Sequence, residues 1–389
     1  MTRILLVAGD PSGDLYGSML IEALRRARPA LRIDAAGGPL MKRVMNPGDA
    51  FLFDLASMGM TGFVEPLRGI PTLMRLLGDI RKRLNGSRPD ALVCIDYYGF
   101  NRRVLTAAKK AGVPAYYFVS PQVWATRPGR IKQIRETVRR MLCIFPFEEK
   151  LYREAGVPVT WVGHPLLDRL PEPKPNGTAP EKGAPLRLGL LPGSRRSEVR
   201  YHLPLFLEST ARILRDFPRT EVTIFAAPNL SDEFYNGWLE SWRPASGGRI
   251  RLVRDNNYEE RARQDFVLTS SGTATVENAL LGLPMVVIYK TFWPTYLIAM
   301  AMARIPYFAM PNILAGRKLV PEFLQGDATV KNISDSALEL LGRPKKLAAL
   351  RQELLELRST LGGRGAADRA ADEILGELAG RSENTLLKS

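Results

Sequence analysis

Short apolar runs alternate with helix-period stretches, a proline-rich break falls near the middle, and the same alternation resumes beyond it. These three observations predict an α/β chain of two parallel-sheet domains. Its 389 residues exceed a comfortable single core, which agrees with two domains. In the first half, residues 3–7, 91–95, 115–119 and 141–145 read as strands too apolar to have a wet face. Stretches such as 17–27 and 101–110 read as the helices between them. The pattern stops at 171–185, which carries Pro171, Pro173, Pro175, Pro180 and Pro185 and reads as a linker. Strands are then expected at 186–191, 221–226, 249–253, 265–269 and 284–289, and amphipathic helices at 337–361 and 366–378. The expected organisation is two Rossmann-like domains facing a cleft, 1–170 and 186–335, with 336–380 packing across them.

Two strand-to-turn-to-helix steps in the second half suit an anion. In 268–277 an apolar strand runs into Ser270, Ser271, Gly272 and Thr273, small residues that let backbone approach a ligand. The free N–H groups and dipole of the following helix favour negative charge there. Glu277 lies one helical turn after Thr273, and its two acceptor oxygens suit the hydroxyls of a ribose. After the 186–191 strand, Ser194, Arg195 and Arg196 open a second helix, and a guanidinium pairs bidentately with phosphate. Neither turn has the P-loop spacing, so a P-loop NTPase is disfavoured. The first strand leads into a turn holding Asp10 and Ser12, whose glycines Gly9, Gly13 and Gly17 are spaced four apart rather than as a dinucleotide fingerprint, and which reads as the floor of an acceptor site.

Asp96 ends the buried run 91–95 and is expected to project from a strand tip, where a partly desolvated carboxylate works as a general base. His164, one of only two histidines, is the rival base and ranks second. So few histidines, with Cys94 and Cys143 inside apolar runs, argue against a zinc site and against a disulfide. A net charge of +15, with basic residues concentrated in 127–140, comes without a nucleic-acid-binding motif and equally suits an anionic membrane face. The longest uncharged apolar stretch, 291–303, is shorter than the ~20 residues that span a bilayer. That stretch, with Phe292, Trp293, Tyr296, Leu297 and Met300, is a candidate interfacial helix. So is 58–77, with Met58, Met60, Phe63, Leu73, Met74, Leu76 and Leu77. Residues 2–7 lack the features of a signal peptide, so the expected location is the cytoplasm.

Read together, the motifs resemble those of the lipid-A-disaccharide synthases, inverting glycosyltransferases of the two-domain GT-B type, nearly end to end. In the first half the resemblance is carried by Ala8-Gly9-Asp10-Pro11-Ser12-Gly13-Asp14, Gly37-Gly38-Pro39, Met60-Thr61-Gly62-Phe63-Val64-Glu65 and Ile95-Asp96-Tyr97-Tyr98-Gly99-Phe100-Asn101. Val119-Ser120-Pro121-Gln122-Val123-Trp124-Ala125, Phe145-Pro146-Phe147-Glu148 and Val162-Gly163-His164-Pro165 continue it. The second half adds Leu191-Pro192-Gly193-Ser194-Arg195, the run from Ser271 to Glu277, Pro311-Asn312 and Val320-Pro321-Glu322-Phe323-Leu324-Gln325.

The resemblance implies transfer of 2,3-diacylglucosamine from UDP to the 6-hydroxyl of 2,3-diacylglucosamine 1-phosphate, giving a β-1,6 disaccharide and UDP, a step of lipid A biosynthesis in Gram-negative bacteria. No metal or other cofactor is required in that scheme. Asp96 matches the family's essential aspartate, Arg195 the arginine of its diphosphate turn, and Glu277, Asn312, Glu322 and Gln325 positions of its nucleotide-binding half. It further implies peripheral attachment to the inner face of the cytoplasmic membrane through 58–77, and a homodimer with exchanged carboxyl-terminal segments. Asp10, Tyr98-Gly99 and Thr126 depart from the family's usual glutamate, Pro-Asp and tryptophan, all on the acceptor side. The alternative is another GT-B enzyme, either a different lipid-linked N-acetylglucosaminyltransferase or a UDP-sugar 2-epimerase.

Overall fold

The computed structural model describes the chain except residues 1, 57–65, 125–128, 174–184, 241, 243–248, 255–257, 303–304 and 387–389. Two compact units divide it: Met1–Asp168 together with Leu361–Ser389, and Arg169–Thr360.

The first unit begins with β1 (Arg3–Ala8), α1 (Pro11–Ala27), β2 (Arg32–Gly37), α2 (Pro39–Arg43), β3 (Ala50–Asp54) and α3 (Pro66–Gly86). It continues with β4 (Ala91–Ile95), α4 (Tyr98–Ala111), β5 (Ala115–Phe118), α5 (Arg130–Thr137), β6 (Arg140–Cys143), α6 (Pro146–Glu154) and β7 (Val159–Trp161). All seven strands pair in parallel in the order β3-β2-β1-β4-β5-β6-β7. The order reverses between β1 and β4, the switch point at whose carboxyl edge such sheets bind ligands. β1 and β4 are apolar because helices cover both faces, and Ile4, Leu6, Leu92 and Cys94 are fully buried. β2, β3 and β7 were not expected from the sequence. β2 carries Asp34, only 3% exposed, whose charge is met by Arg3 and Arg83 at 3.9 and 3.5 Å.

The second unit holds β8 (Arg187–Leu191), α7 (Arg196–Asp216), β9 (Glu221–Phe225), α8 (Asp232–Leu239), β10 (Arg249–Val253) and α9 (Glu259–Ala262). Then follow β11 (Phe266–Ser270), α10 (Thr273–Leu280), β12 (Met285–Tyr289), α11 (Trp293–Met302), α12 (Met310–Ala315), β13 (Glu322–Leu324), α13 (Val330–Leu341) and α14 (Pro344–Thr360). Its sheet is also parallel, in the order β10-β9-β8-β11-β12-β13, with the reversal between β8 and β11. The short edge strand β13 was not expected.

The last helix, α15 (Ala366–Leu386), belongs to the first unit and packs along α1. Its buried face is small, with Ala366, Ala367, Ala370, Ala371 and Ile374, which lets the two helices approach closely. Charged ends fasten it: Asp368 to Arg26 at 2.6 Å, Glu377 to Arg140 at 2.6 Å, and Arg369 to the Val162 carbonyl at 2.8 Å. No helix among the described residues is long and apolar enough to cross a membrane.

Candidate active site

Asp96 follows the fully buried β4 at the switch point, beside the end of β1. Asp96 and Tyr97 both take left-handed backbone, with φ of 43° and 44°. Each such non-glycine residue costs about 1–3 kcal/mol and persists only where its surroundings over-determine it. Here they do. The Asp96 N–H donates to the Phe118 carbonyl at 3.2 Å. The Asp96 carbonyl accepts from the Asn101 amide at 2.8 Å and the Tyr117 hydroxyl at 2.5 Å, and its carboxylate accepts the Tyr97 N–H at 2.8 Å. Asn101, fully buried, also reaches the Val7 and Ile95 carbonyls and so ties β1 to β4. The Tyr97 ring lies so close to Gly9 that a Cβ there would sit 2.0 Å from it, which is why only glycine fits.

Burial raises the Asp96 pKa well above the ordinary aspartate value, and the neighbouring Asp10 and Glu148 charges raise it further against the opposing Tyr97 N–H bond. Glu148, 1% exposed, is itself pushed up to about 7 by burial, with the Phe145 N–H and the Trp124 indole bonding its charged form. Asp10 caps α1, accepting the Gly13 N–H at 2.5 Å, and half-buried Ser12 stands in that helix's first turn. The chain thus gathers three carboxylates at one strand edge, the setting in which one acts as a base near neutral pH.

His164 is corrected as the rival base. It is 2% exposed, its pKa is lowered to about 3 by burial, and Nδ1 accepts the Leu166 N–H at 3.3 Å, so it stays neutral inside the core. Leu76 and Leu77, expected against lipid, are also corrected. At 2% and 1% exposure they lie with Ile80 and Leu84 on the inward face of α3, where their spacing puts them on the core. Leu73 is half-buried against the same core, and Met74, 53% exposed, points outward. Met58, Met60, Phe63, Thr126, Arg127 and most of 171–185 lie outside the described residues.

In the second unit both anion-ready turns fall at the β8/β11 switch point. Gly193 has φ of 121°, and a Cβ on it would strike the Glu198 carboxylate at 2.6 Å. That carboxylate accepts the exposed Ser194 N–H at 3.0 Å and the Arg195 N–H at 3.3 Å, and pairs with the Arg195 guanidinium at 2.5 Å. The turn therefore already presents its donors to an anion, supplied here by its own glutamate. Arg196 lies over the Phe234 ring at 4.6 Å. At the second turn, Gly272 has φ of 142°, a conformation essentially reserved for glycine, with open space beside it. Ser271 is fixed to the Phe308 carbonyl at 3.0 Å, and Thr273 starts α10 with an exposed side chain.

Glu277 is half-buried, bonded to the Tyr258 hydroxyl at 3.1 Å and ion-paired with Arg261. An ionised carboxylate keeps further acceptor capacity beyond those two partners. Asn312 and Gln325, expected at the nucleotide, are both buried with their side chains bonded to backbone. Asn312 is fully buried, with Oδ1 accepting the Leu319 and Val320 N–H groups at 2.8 Å and Nδ2 donating to the Val320 carbonyl at 3.0 Å. Gln325, 2% exposed, brackets Thr291, donating to its carbonyl at 2.8 Å and accepting its N–H at 3.1 Å. Glu322 is half-buried and accepts the Phe308 and Ala309 N–H groups, the latter at 2.8 Å, which sets the start of α12.

The sequence reading missed His202. Its Nε2 accepts the Lys290 N–H at 3.0 Å, so the neutral ring carries its proton on Nδ1 and donates to the Pro192 carbonyl at 2.8 Å. It pins the first turn to the segment after β12. Burial lowers its pKa, which keeps the ring neutral. Phe292, just before α11, and Trp293, Leu297 and Met300 on it are 47–60% exposed, an apolar concentration beyond scattered surface residues.

Two parallel-sheet units, one with a carboxylate at its switch point and the other with two glycine turns at its own, define a protein of the GT-B fold class. S. aureus MnaA, solved with UDP, has the same fold at TM-score 0.65 and 12% identity, covering 97% of each chain. Acinetobacter baumannii MurG matches at TM-score 0.59 and 13% identity, covering 97% of this chain and 100% of that one. The family model described as lipid-A-disaccharide synthetase matches residues 4–374. The lipid-A-disaccharide synthase of Syntrophus aciditrophicus (strain SB) is 39% identical over 379 residues, covering 95% of this chain and 96% of that protein. The chain belongs to the lipid-A-disaccharide synthetase family.

Proposed function

We propose that the protein transfers 2,3-diacylglucosamine from UDP to the 6-hydroxyl of 2,3-diacylglucosamine 1-phosphate. The Asp96 carboxylate takes the hydroxyl proton as the oxygen attacks the anomeric carbon. The bond from that carbon to the diphosphate oxygen breaks, its electrons leave with UDP, and the configuration inverts to β. Arg195 and the N–H groups of the Gly193 turn take the departing diphosphate in place of Glu198, and Glu277 accepts ribose hydroxyls. No metal enters this scheme. The observation that carries the reading is a rigidly held carboxylate with a raised pKa at the β1/β4 edge, in a chain whose relatives are lipid-A-disaccharide synthases.

The acylated substrates place the work at a lipid surface, and the exposed apolar residues of α11 together with Met74 support peripheral attachment at the cytoplasmic membrane face. A homodimer with exchanged carboxyl-terminal segments is part of the same proposal. The test is an assay of purified protein and its Asp96→Ala variant with both lipid substrates, following UDP release and product mass. Disaccharide from the wild type alone supports the reading. Interconversion of UDP-N-acetyl sugars without lipid would replace it with an epimerase.

A further inference from the structure

A cavity of about 450 Å³ lies in the first unit, lined by Tyr98, Gly99, Arg102, Gly129, Arg130 and Gln133. That volume is within the range of small-molecule sites. In a parallel α/β sheet each helix starts at the carboxyl edge of the strand before it. The cavity therefore opens where α4 and α5 begin, on the same edge as Asp96 and two residues along the chain from it. Its walls are basic and lack a carboxylate.

The floor is fixed. The Tyr98 hydroxyl donates to Gln133 Oε1 at 3.0 Å, and the Gln133 amide donates to the Arg102 carbonyl at 3.1 Å and the Thr106 hydroxyl at 3.2 Å, fastening α4 to α5. The Arg130 guanidinium lies over the Tyr98 ring, 5.0 Å from its centre. Arg102, exposed, forms no ion pair with any described residue. Both guanidiniums bear electrostatically on the Tyr98 hydroxyl, opposing the rise that burial imposes on its pKa. Two guanidiniums lining a cavity without a carboxylate in its walls, on the same sheet edge as Asp96, suit a phosphate.

The geometry points to Arg102 and Arg130 holding a phosphomonoester there, the 1-phosphate of the acceptor, while the donor's diphosphate is left to the turns of the second unit. This rests on the reading of the function above. Gripping the phosphate at one end of the sugar would orient the hydroxyl at the other toward Asp96. Arg102 and Arg130 are thus substrate-binding residues, and Tyr98 and Gln133 position them.

The experiment compares the phosphorylated acceptor with its dephosphorylated counterpart in neutral-detergent micelles, for wild type, Arg102→Ala, Arg130→Ala and Arg102→Lys, with thermal melts to confirm folding. Each alanine variant is expected to raise KM for the phosphorylated acceptor about 10- to 100-fold, the size of a lost charge-assisted contact, with donor KM unchanged. Arg102→Lys is expected to recover part of the loss. Wild type is expected to lose as much on the dephosphorylated acceptor, where the substitutions add nothing further. Equal use of both acceptors by wild type, or equal slowing of both by the variants, overturns the assignment. So does loss of binding to phosphatidylglycerol vesicles with acceptor KM unchanged, which would give the arginines to a lipid headgroup. If wild type makes no disaccharide, the functional reading fails, and the cavity is judged by calorimetry with glucosamine 1-phosphate. Binding that Arg102→Ala abolishes keeps the phosphate site, and absence of binding removes it.

Discussion

Replacing Asp96 with asparagine separates its charge from its architecture. The asparagine oxygen still accepts the Tyr97 N–H, now 2.8 Å from the carboxylate, and the bonds from Asn101 and Tyr117 go to the backbone carbonyl, which the change leaves alone. The left-handed pair therefore stays in place while the base disappears. A positioned general base contributes about 10²–10⁴-fold, or roughly 3–5 kcal/mol of barrier, and turnover is expected to fall by that much with UDP binding retained.

Stability is expected to move the other way. Asp96 has a folded pKa above its unfolded value, so its contribution is fully present at low pH and is lost as pH rises through the folded value. A neutral side chain removes that loss along with the repulsion from Asp10 and Glu148. The melting temperature of Asp96→Asn at pH 8 is thus expected to exceed that of the wild type. Initial rates by UDP release, disaccharide by mass and a calorimetric melt measure both effects. Wild-type turnover would refute the base, and lost turnover with a lowered melting temperature would make Asp96 a structural residue instead.

Glu148, raised to about 7 from an ordinary 4.5, destabilises the protein as pH climbs between those values, by up to about 3 kcal/mol. Glu148→Gln is expected to flatten part of the fall in melting temperature from pH 5 to 8. With one repelling charge gone, the acid limb of the pH–rate profile is expected to shift to lower pH. Arg195→Ala is expected to weaken UDP binding about tenfold or more in calorimetry, as a bidentate phosphate partner is lost; unchanged affinity removes Arg195 from the site. Leu77→Ala is expected to cost about 2–5 kcal/mol in denaturant unfolding, whereas Met74→Ser stays within about 0.5 kcal/mol. Equal effects would mean that α3 is turned differently. Chelator is expected to leave turnover unchanged, and a loss restored by added Mg²⁺ would bring a metal into the mechanism.

Much of this was legible because the strands at the two switch points are apolar on both faces and end in residues that break the pattern. Asp96, Gly193 and Gly272 could be found that way, since a charge or a glycine at a strand tip announces itself locally. β2 hid because Arg32 and Asp34 interrupt its apolar run, and Asp34 is tolerated only through Arg3 and Arg83, which lie far away in sequence. The same non-locality hid the partners of the site. Arg261 meets Glu277 across 16 residues and His202 meets Lys290 across 88, and no local period reports either. Asn312 and Gln325 were expected at the nucleotide only because the family resemblance puts them in its nucleotide-binding half. Their full hydrogen-bond sets with backbone could be seen only in three dimensions. In α3 the leucines were legible as a stripe, but a stripe does not say whether protein or lipid lies against it.

The discontinuity of the first unit bears on how the chain matures during synthesis. Arg169–Thr360 is an unbroken segment that can fold as soon as it leaves the ribosome, whereas the older unit waits for Leu361–Ser389 to supply α15. At about 5–20 residues per second the interval is on the order of tens of seconds. Throughout it, the side of α1 that later receives α15 is bare, and Arg26 and Arg140 lack Asp368 and Glu377. The carboxylate that does the chemistry thus sits in the half translated first and completed last, so a chain interrupted before α15 carries Asp96 without the finished scaffold around it.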